Sequence, residues 1–173
     1  MESVDVVLLL GSASDYPHMQ PAVEVLRQLE IPFRVHVTSA HRTPRRTEEL
    51  VREAERAGCR VFICAAGMAA HLAGVVASLT LRPVLGVPLP GGVLDGVDAL
   101  LSTVQMPGGV PVATFAVGPA GARNAAVFAA EMLAGGGGAL GDRLCELRRA
   151  AERRVVESEH ELLAAAGLEL STE

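Results

Sequence analysis

The sequence predicts a three-layer α/β sandwich around a central parallel sheet, and three observations predict it. Short, mainly apolar runs recur at Val4–Leu10, Arg60–Ala65 and residues 82–89, each followed by Gly or Pro within two residues. That is how strands buried on both faces read. Between these runs lie stretches whose apolar residues return at helical spacing, giving a steady β–α rhythm. The chain has 173 residues and a mass of 18.0 kDa, a size suited to one compact core.

Val4 to Leu10 is the first strand, ended by Gly11-Ser12. In the following HMQPAVEVLRQLEI, Met19, Val23, Leu26 and Leu29 share one helical face, with Pro17 and Pro21 tolerable only near its start. Phe33–Val37 is the second strand. Pro44 then opens a helix through RRTEELVREAERAG that closes at Gly58. Arg60–Ala65 is the third strand, and AGMAAHLAGVVASLT turns into a helix. RPVLGVPL is the fourth strand, followed by a short helix over Val97–Val104 and a fifth strand over Val112–Val117. A helix beginning near Ala120 completes a flavodoxin-like or Rossmann-like domain over residues 1–134, with right-handed crossovers.

Gly135–Gly138 reads as a linker, because four glycines gain no packing and lose the most backbone entropy on ordering. Beyond it, Leu140, Leu144, Leu147, Ala151 and Val155 mark a long amphipathic helix in the 139–173 extension. Such a helix packs against a neighbouring subunit or the domain's own edge, or it stays on the surface of a monomer.

Half of the residues are apolar, yet there is no Trp, one Tyr and four Phe. The core is therefore built from aliphatic side chains, Ala and close Gly contacts. Stacking platforms for bases are lacking, and 15 basic against 20 acidic residues leave a net charge of −5, which disfavours nucleic acid as a partner. All 15 basic residues are Arg, a composition that fits an anion site or subunit interfaces and equally a coding bias. Cys59, Cys64 and Cys145 are too few and too irregular for a disulfide framework or a zinc cluster. No apolar run reaches membrane-spanning length, and the acidic start is unlike a signal peptide. A soluble, cytoplasmic protein is expected, with enough apolar surface to favour an oligomer.

Ligands of open parallel sheets bind outside the carboxyl ends of the strands, so the strand-end loops are the candidate site. Gly11-Ser12-Ala13-Ser14-Asp15 offers hydroxyls and helix-start N–H groups to an anion, and Asp15 suits a ribose diol. Ser14 and Asp15 also fit a simple capping role, and the two roles are compatible. Ser39-Ala40-His41-Arg42-Thr43-Pro44 sets an imidazole beside a guanidinium and two hydroxyls. Arg42 fits a phosphate, and His41 is the side chain best suited to move a proton near neutral pH. In the third loop, Gly67, Ala69, Ala70, His71 and Leu72 bring small residues and backbone donors, with His71 either a helix cap or a contact. There is no GxGxxG after the first strand, no GxxxxGK[ST], no Lys for a Schiff base, no GxSxG and no HExxH or metal-ligand spacing. A metal-free enzyme using one His remains, against a nucleotide-binding module without chemistry.

At these same loops the chain resembles the 5-(carboxyamino)imidazole ribonucleotide mutase family, once called the catalytic component of phosphoribosylaminoimidazole carboxylase. The resemblance runs from about Val4 to Ala134. It rests on GSASD with Met19-Gln20, SAHRTP, AGMAAHLAG, GVP at 86–88, and LLSTVQMPGGVPVATFAVG with Gly121 and Asn124-Ala125-Ala126 beyond it.

The resemblance implies an isomerase of purine synthesis that moves a carboxylate from the exocyclic amine to carbon 4 of the imidazole. Carbon dioxide is held in the site as intermediate, and no cofactor, ATP, biotin or metal is implied. His41 matches the family's acid–base histidine. Ser12 and Asp15 match substrate-binding positions, with Asp15 expected on the ribose hydroxyls. Arg42 matches the phosphate-contacting arginine, supported by Ser14 and Ser39, and Gly67, Ala69, Ala70, His71 and Leu72 match the loop along the ring and its carboxylate. A homo-octamer with the C-terminal helix reaching over a neighbour is implied as well. The alternative within the fold is a sister class that carboxylates aminoimidazole ribonucleotide directly with free carbon dioxide, in which AHK-like and GRSN-like loops are usual. Arg42 and GMAAH lie on the mutase side. Three departures stand out: Met68 where Gly is usual, Ala73 where Pro is usual, and LPGG at 89–92 in place of a VQS-like stretch.

Overall fold

The computed structural model describes residues 4–168. Five parallel strands form one sheet in the order β2-β1-β3-β4-β5. They are β1 (Val6–Leu10), β2 (Phe33–Val37), β3 (Val61–Ala66), β4 (Val84–Pro88) and β5 (Ala113–Thr114). In register, Leu8 of β1 faces Val35 of β2 on one side and Ile63 of β3 on the other. β1 and β3 are apolar along their whole length because both faces of the sheet are covered. Val6, Leu8, Leu10, Val61, Ile63 and Ala65 enter one core cluster. Val7, Leu9, Phe62 and Cys64 enter the other.

The first cluster lies under α1 (Tyr16–Gln28) and α5 (Pro119–Ala134). Ala122, Ala125, Ala126, Ala129 and Ala130 are fully buried there, so the two helices pack through an alanine face. The second cluster lies under α2 (Pro44–Arg56) and α3 (Leu72–Leu79). On that face α4 (Val97–Val104) presses against β4. A Cβ on Gly86 would collide with the Thr103 methyl and stand 2.9 Å from Val112 Cγ1.

Three boundaries differ from the sequence expectation. A single 3-10 turn over Ala13–Asp15 precedes α1. β5 is two residues long rather than six. The chain leaves the sheet after Phe115 N–H donates to Gly86 O (2.9 Å), because Gly121 of α5 sits directly on Ala116 O, where any Cβ would overlap it. The glycine run is a tight turn, in which Gly135 ends α5 at φ +55° and Gly138 is the first residue of α6 (Gly138–Ala166).

The first turns of α6 dock on the domain. Leu144 and Leu147 are buried, and Arg143 donates to Leu29 O (3.0 Å) and pairs with Glu30 (3.3 Å). The remainder of α6 is exposed. Exposed apolar surface is not confined to it: Val93, Leu94, Val97, Leu101 and Val104 form a further apolar stretch along and before α4. Among the described residues no helix is long and apolar enough to cross a membrane.

Candidate active site

The strand order creates the site. From β1 the chain first adds β2 on one side and then returns to add β3 on the other, so the loops after β1, β2 and β3 diverge and leave a crevice at their carboxyl ends. A cleft of about 550 Å³ occupies that position. It is lined by Gly11, Ser12, Ser14 and Asp15 after β1, by Ser39–Arg42 after β2, by Ala66–Ala69, His71 and Leu72 after β3, and by Pro90–Gly92 after β4.

The first loop is held by a reciprocal cap. Ser12 N–H donates to Asp15 Oδ2 (2.9 Å), Ser14 N–H donates to Ser12 Oγ (3.3 Å), and the Ser12 and Ser14 hydroxyls lie 2.8 Å apart. Capping and cleft lining are thus combined in the same residues. Burial raises the Asp15 carboxyl above its ordinary value, opposed by the Ser12 N–H bond and the His18 charge.

The second loop hangs on three threonines. Thr38 and Thr47 are buried with their hydroxyls 2.9 Å apart, and Thr43 Oγ1 lies 3.2 Å from Thr38 Oγ1. Ser39 N–H donates to Thr43 Oγ1 (2.9 Å), and Thr43 Oγ1 donates back to Ser39 O (3.1 Å). This lattice fixes the turn that carries His41 and Arg42. Arg42 N–H and Nε reach Ser39 Oγ at 3.2 and 3.5 Å, and among the described residues Arg42 has no acidic partner. Its charge is therefore available to an anion in the cleft.

The third loop brings the second imidazole. His41 Nε2 and His71 Nδ1 lie 2.8 Å apart, with ring centroids 5.0 Å apart and planes at 83°. One proton must sit between those two nitrogens, so the bond persists only while at least one ring is neutral. Around them, the amides of Ala70 and His71 are already used, donating to Met68 O (2.9 Å) and Ala69 O (2.8 Å). The amides of Gly67, Met68 and Ala69 have no acceptor among the described residues.

Of the residues singled out from sequence, Ser12, Ser14, Asp15, Ser39, His41, Arg42, Gly67, Ala69, His71 and Leu72 all line the one cleft. Ala70 is buried behind it, its carbonyl 3.5 Å from Thr103 Oγ1. Sequence reasoning did not pick out Thr38 and Thr47, although a polar residue ending an apolar strand and the 43/47 spacing on one helical face were available signals. Pro90, Gly91 and Gly92, from the strand-end loop over Pro88–Gly96 that the sequence offers as suited to reading a neutral heterocycle, form a further part of the cleft wall.

Comparison with known proteins identifies the family and the fold. A family model described as AIR carboxylase matches residues 5–154. The N5-carboxyaminoimidazole ribonucleotide mutase of Haemophilus influenzae is 48% identical over 85% of this chain and 90% of its own. The protein of the same name from Bacillus subtilis is 44% identical over 91% of this chain and 98% of its own. The crystal structure of Treponema denticola PurE superposes with a TM-score of 0.81, covering 91% of this chain and 97% of that one at 24% identity, a likeness of fold. With a doubly wound sheet, a cleft at its switch point and a match spanning nearly the whole described domain, the chain belongs to the AIR carboxylase family.

Proposed function

We propose that the chain is a mutase that converts 5-(carboxyamino)imidazole ribonucleotide to 4-carboxy-5-aminoimidazole ribonucleotide, with His41 as its proton carrier. The observation that carries the reading is the His41–His71 contact in the lining of a cleft that also holds Arg42, which has no acidic partner among the described residues. Relatives that share 48% and 44% of their residues with this chain bear the mutase name, which favours this reaction over direct carboxylation with free carbon dioxide.

The chemistry balances without an external reagent. The carbamate C–N bond breaks, its electron pair returns to nitrogen with one proton, and carbon dioxide is released into the cleft. Carbon 4 then attacks that carbon dioxide and gives up its ring proton. One proton is delivered and one is taken back, so a single imidazole returns to its starting state, and no ATP, metal or other cofactor is required. His41 supplies and recovers the proton; His71 holds the His41 ring through the 2.8 Å contact. Arg42, with Ser14 and Ser39, takes the phosphate. Asp15 and Ser12 take the ribose hydroxyls, and the free amides of Gly67, Met68 and Ala69 face the migrating carboxylate. Ala70 and Leu72 support that loop from its buried side. Carbon dioxide is uncharged and small, so retention depends on closing the cleft to water.

The exposed apolar stretch at 93–104 and the exposed length of α6 support assembly as a homo-oligomer, an octamer by family resemblance, acting in the cytoplasm. His41→Asn is expected to abolish turnover while the ribonucleotide still binds, and Arg42→Ala to weaken binding chiefly through the phosphate. Near-normal turnover by the His41→Asn variant would overturn the assignment.

A further inference from the structure

Met68 is an outlier in the backbone of the cleft. Its φ is +52°, in the left-handed region that disfavours side chains, and it is one of three non-glycine residues with positive φ among those described. Glu30 follows α1 and Asp95 precedes α4, so both are turn residues. Met68 instead lines the cleft with 61% of its surface exposed. Local strain of this kind persists where the surroundings enforce it and marks positions worth a functional reading.

What lies beside it is equally specific. Gly92 has φ +70°, and a Cβ built there would stand 3.1 Å from Met68 Cγ, 3.8 Å from Met68 Sδ and 3.4 Å from Asp98 Oδ2. The Met68 side chain therefore lies against Gly92, where the positive φ favours glycine and an added Cβ would crowd Met68 Cγ. Pro90, Gly91 and Gly92 add no polar side chain to the lining. While the loops after β1 and β2 are rich in hydroxyls and charge, Met68 with residues 90–92 adds an apolar portion of the wall beside Ala66, Ala69 and Leu72.

We propose that Met68 is a specificity-determining residue whose thioether, seated over Gly92, is the surface on which the planar heterocycle of the substrate packs. This rests on the ribonucleotide reading given above and adds a residue to it. A thioether is polarizable, adapts to the shape of a ring and makes favourable sulfur–aromatic contacts. It also offers the migrating carboxylate no competing donor, and it excludes water from the ring side of the cleft, where carbon dioxide must be kept. The left-handed backbone at Met68 is retained because it carries this side chain over Gly92.

Calorimetric titration of the full-length protein with 4-carboxy-5-aminoimidazole ribonucleotide and with ribose 5-phosphate tests the proposal. Met68→Gly is expected to weaken the ring nucleotide about 3- to 10-fold and to leave ribose 5-phosphate unchanged, with no loss of melting temperature because glycine suits the backbone. Gly92→Ala is expected to weaken the ring nucleotide in the native background and to have a smaller effect when Met68→Gly is already present, since the two side chains compete for one space. Equal ring-nucleotide affinity in wild type and Met68→Gly, or equal losses for both ligands, would overturn the proposal while leaving the ribonucleotide reading intact. A wild-type protein that binds ribose 5-phosphate but not the ring nucleotide would remove both.

Discussion

His41 and His71, thirty residues apart in sequence, meet through Nε2 and Nδ1 at 2.8 Å. They sit on the loops after β2 and β3, the strands on either side of β1, so the contact spans the crevice that the strand order creates. An imidazole held this way keeps one ring nitrogen committed to its neighbour and one tautomer favoured. His71→Ala is expected to lower kcat about 10²-fold with a small change in KM, and to move the pH profile of kcat. His71→Gln, which can still accept a hydrogen bond, is expected to recover part of the loss. An unaltered pH profile in the Ala variant would show that His71 does not act through His41.

The threonine lattice under the second loop predicts a stability effect coupled to activity. Thr47→Val keeps the shape of the side chain but leaves the buried Thr38 hydroxyl without its 2.9 Å partner. Thr38 keeps Thr43 Oγ1 at 3.2 Å, so a loss of about 0.5–1.5 kcal/mol in denaturant unfolding is expected. Turnover should fall as well, because the turn bearing His41 and Arg42 loses an anchor. Unchanged unfolding would mean that Thr43 alone holds the loop.

His36 on β2 predicts a pH effect on stability. Partial burial holds its pKa below the ordinary 6.5, and the charges of Arg46 and Arg34 act in the same direction. The unfolded chain therefore takes up the proton first as pH falls. The stability contribution of neutral His36 is fully present above about pH 6.5 and is lost as pH falls below that value toward the lowered folded pKa. Melting temperatures of wild type and His36→Gln between pH 8 and pH 5 check this. The variant should lose less on acidification, and parallel curves would contradict the assignment.

Much of the fold was legible because β1, β3 and β4 are covered on both faces and so appear as unbroken apolar runs. The site loops were legible for a related reason: Arg42 and His41 at a strand end have no apolar pattern to place them in a core. What sequence could not deliver depends on contacts between distant segments. The early end of β5 follows from Gly121 resting on Ala116 O, a tertiary contact invisible in a run such as VATFAV. The His41–His71 bond requires the β2-β1-β3 order, which no single strand encodes. The glycine run gave a linker by composition but folds as a turn, since α6 has Leu144 and Leu147 to bury immediately after it. The apolar excess seen in composition is divided between the exposed length of α6 and residues 93–104, a division that composition alone does not locate.

The central claim is that the carboxylate moves within one substrate rather than arriving from solution. It is tested most directly by supplying 5-(carboxyamino)imidazole ribonucleotide to the full-length protein in buffer purged of bicarbonate and following the carbon-carboxylated product. The account predicts rapid conversion under these conditions. Product that forms only from aminoimidazole ribonucleotide and added carbon dioxide, with none from the carboxyamino compound, would contradict it.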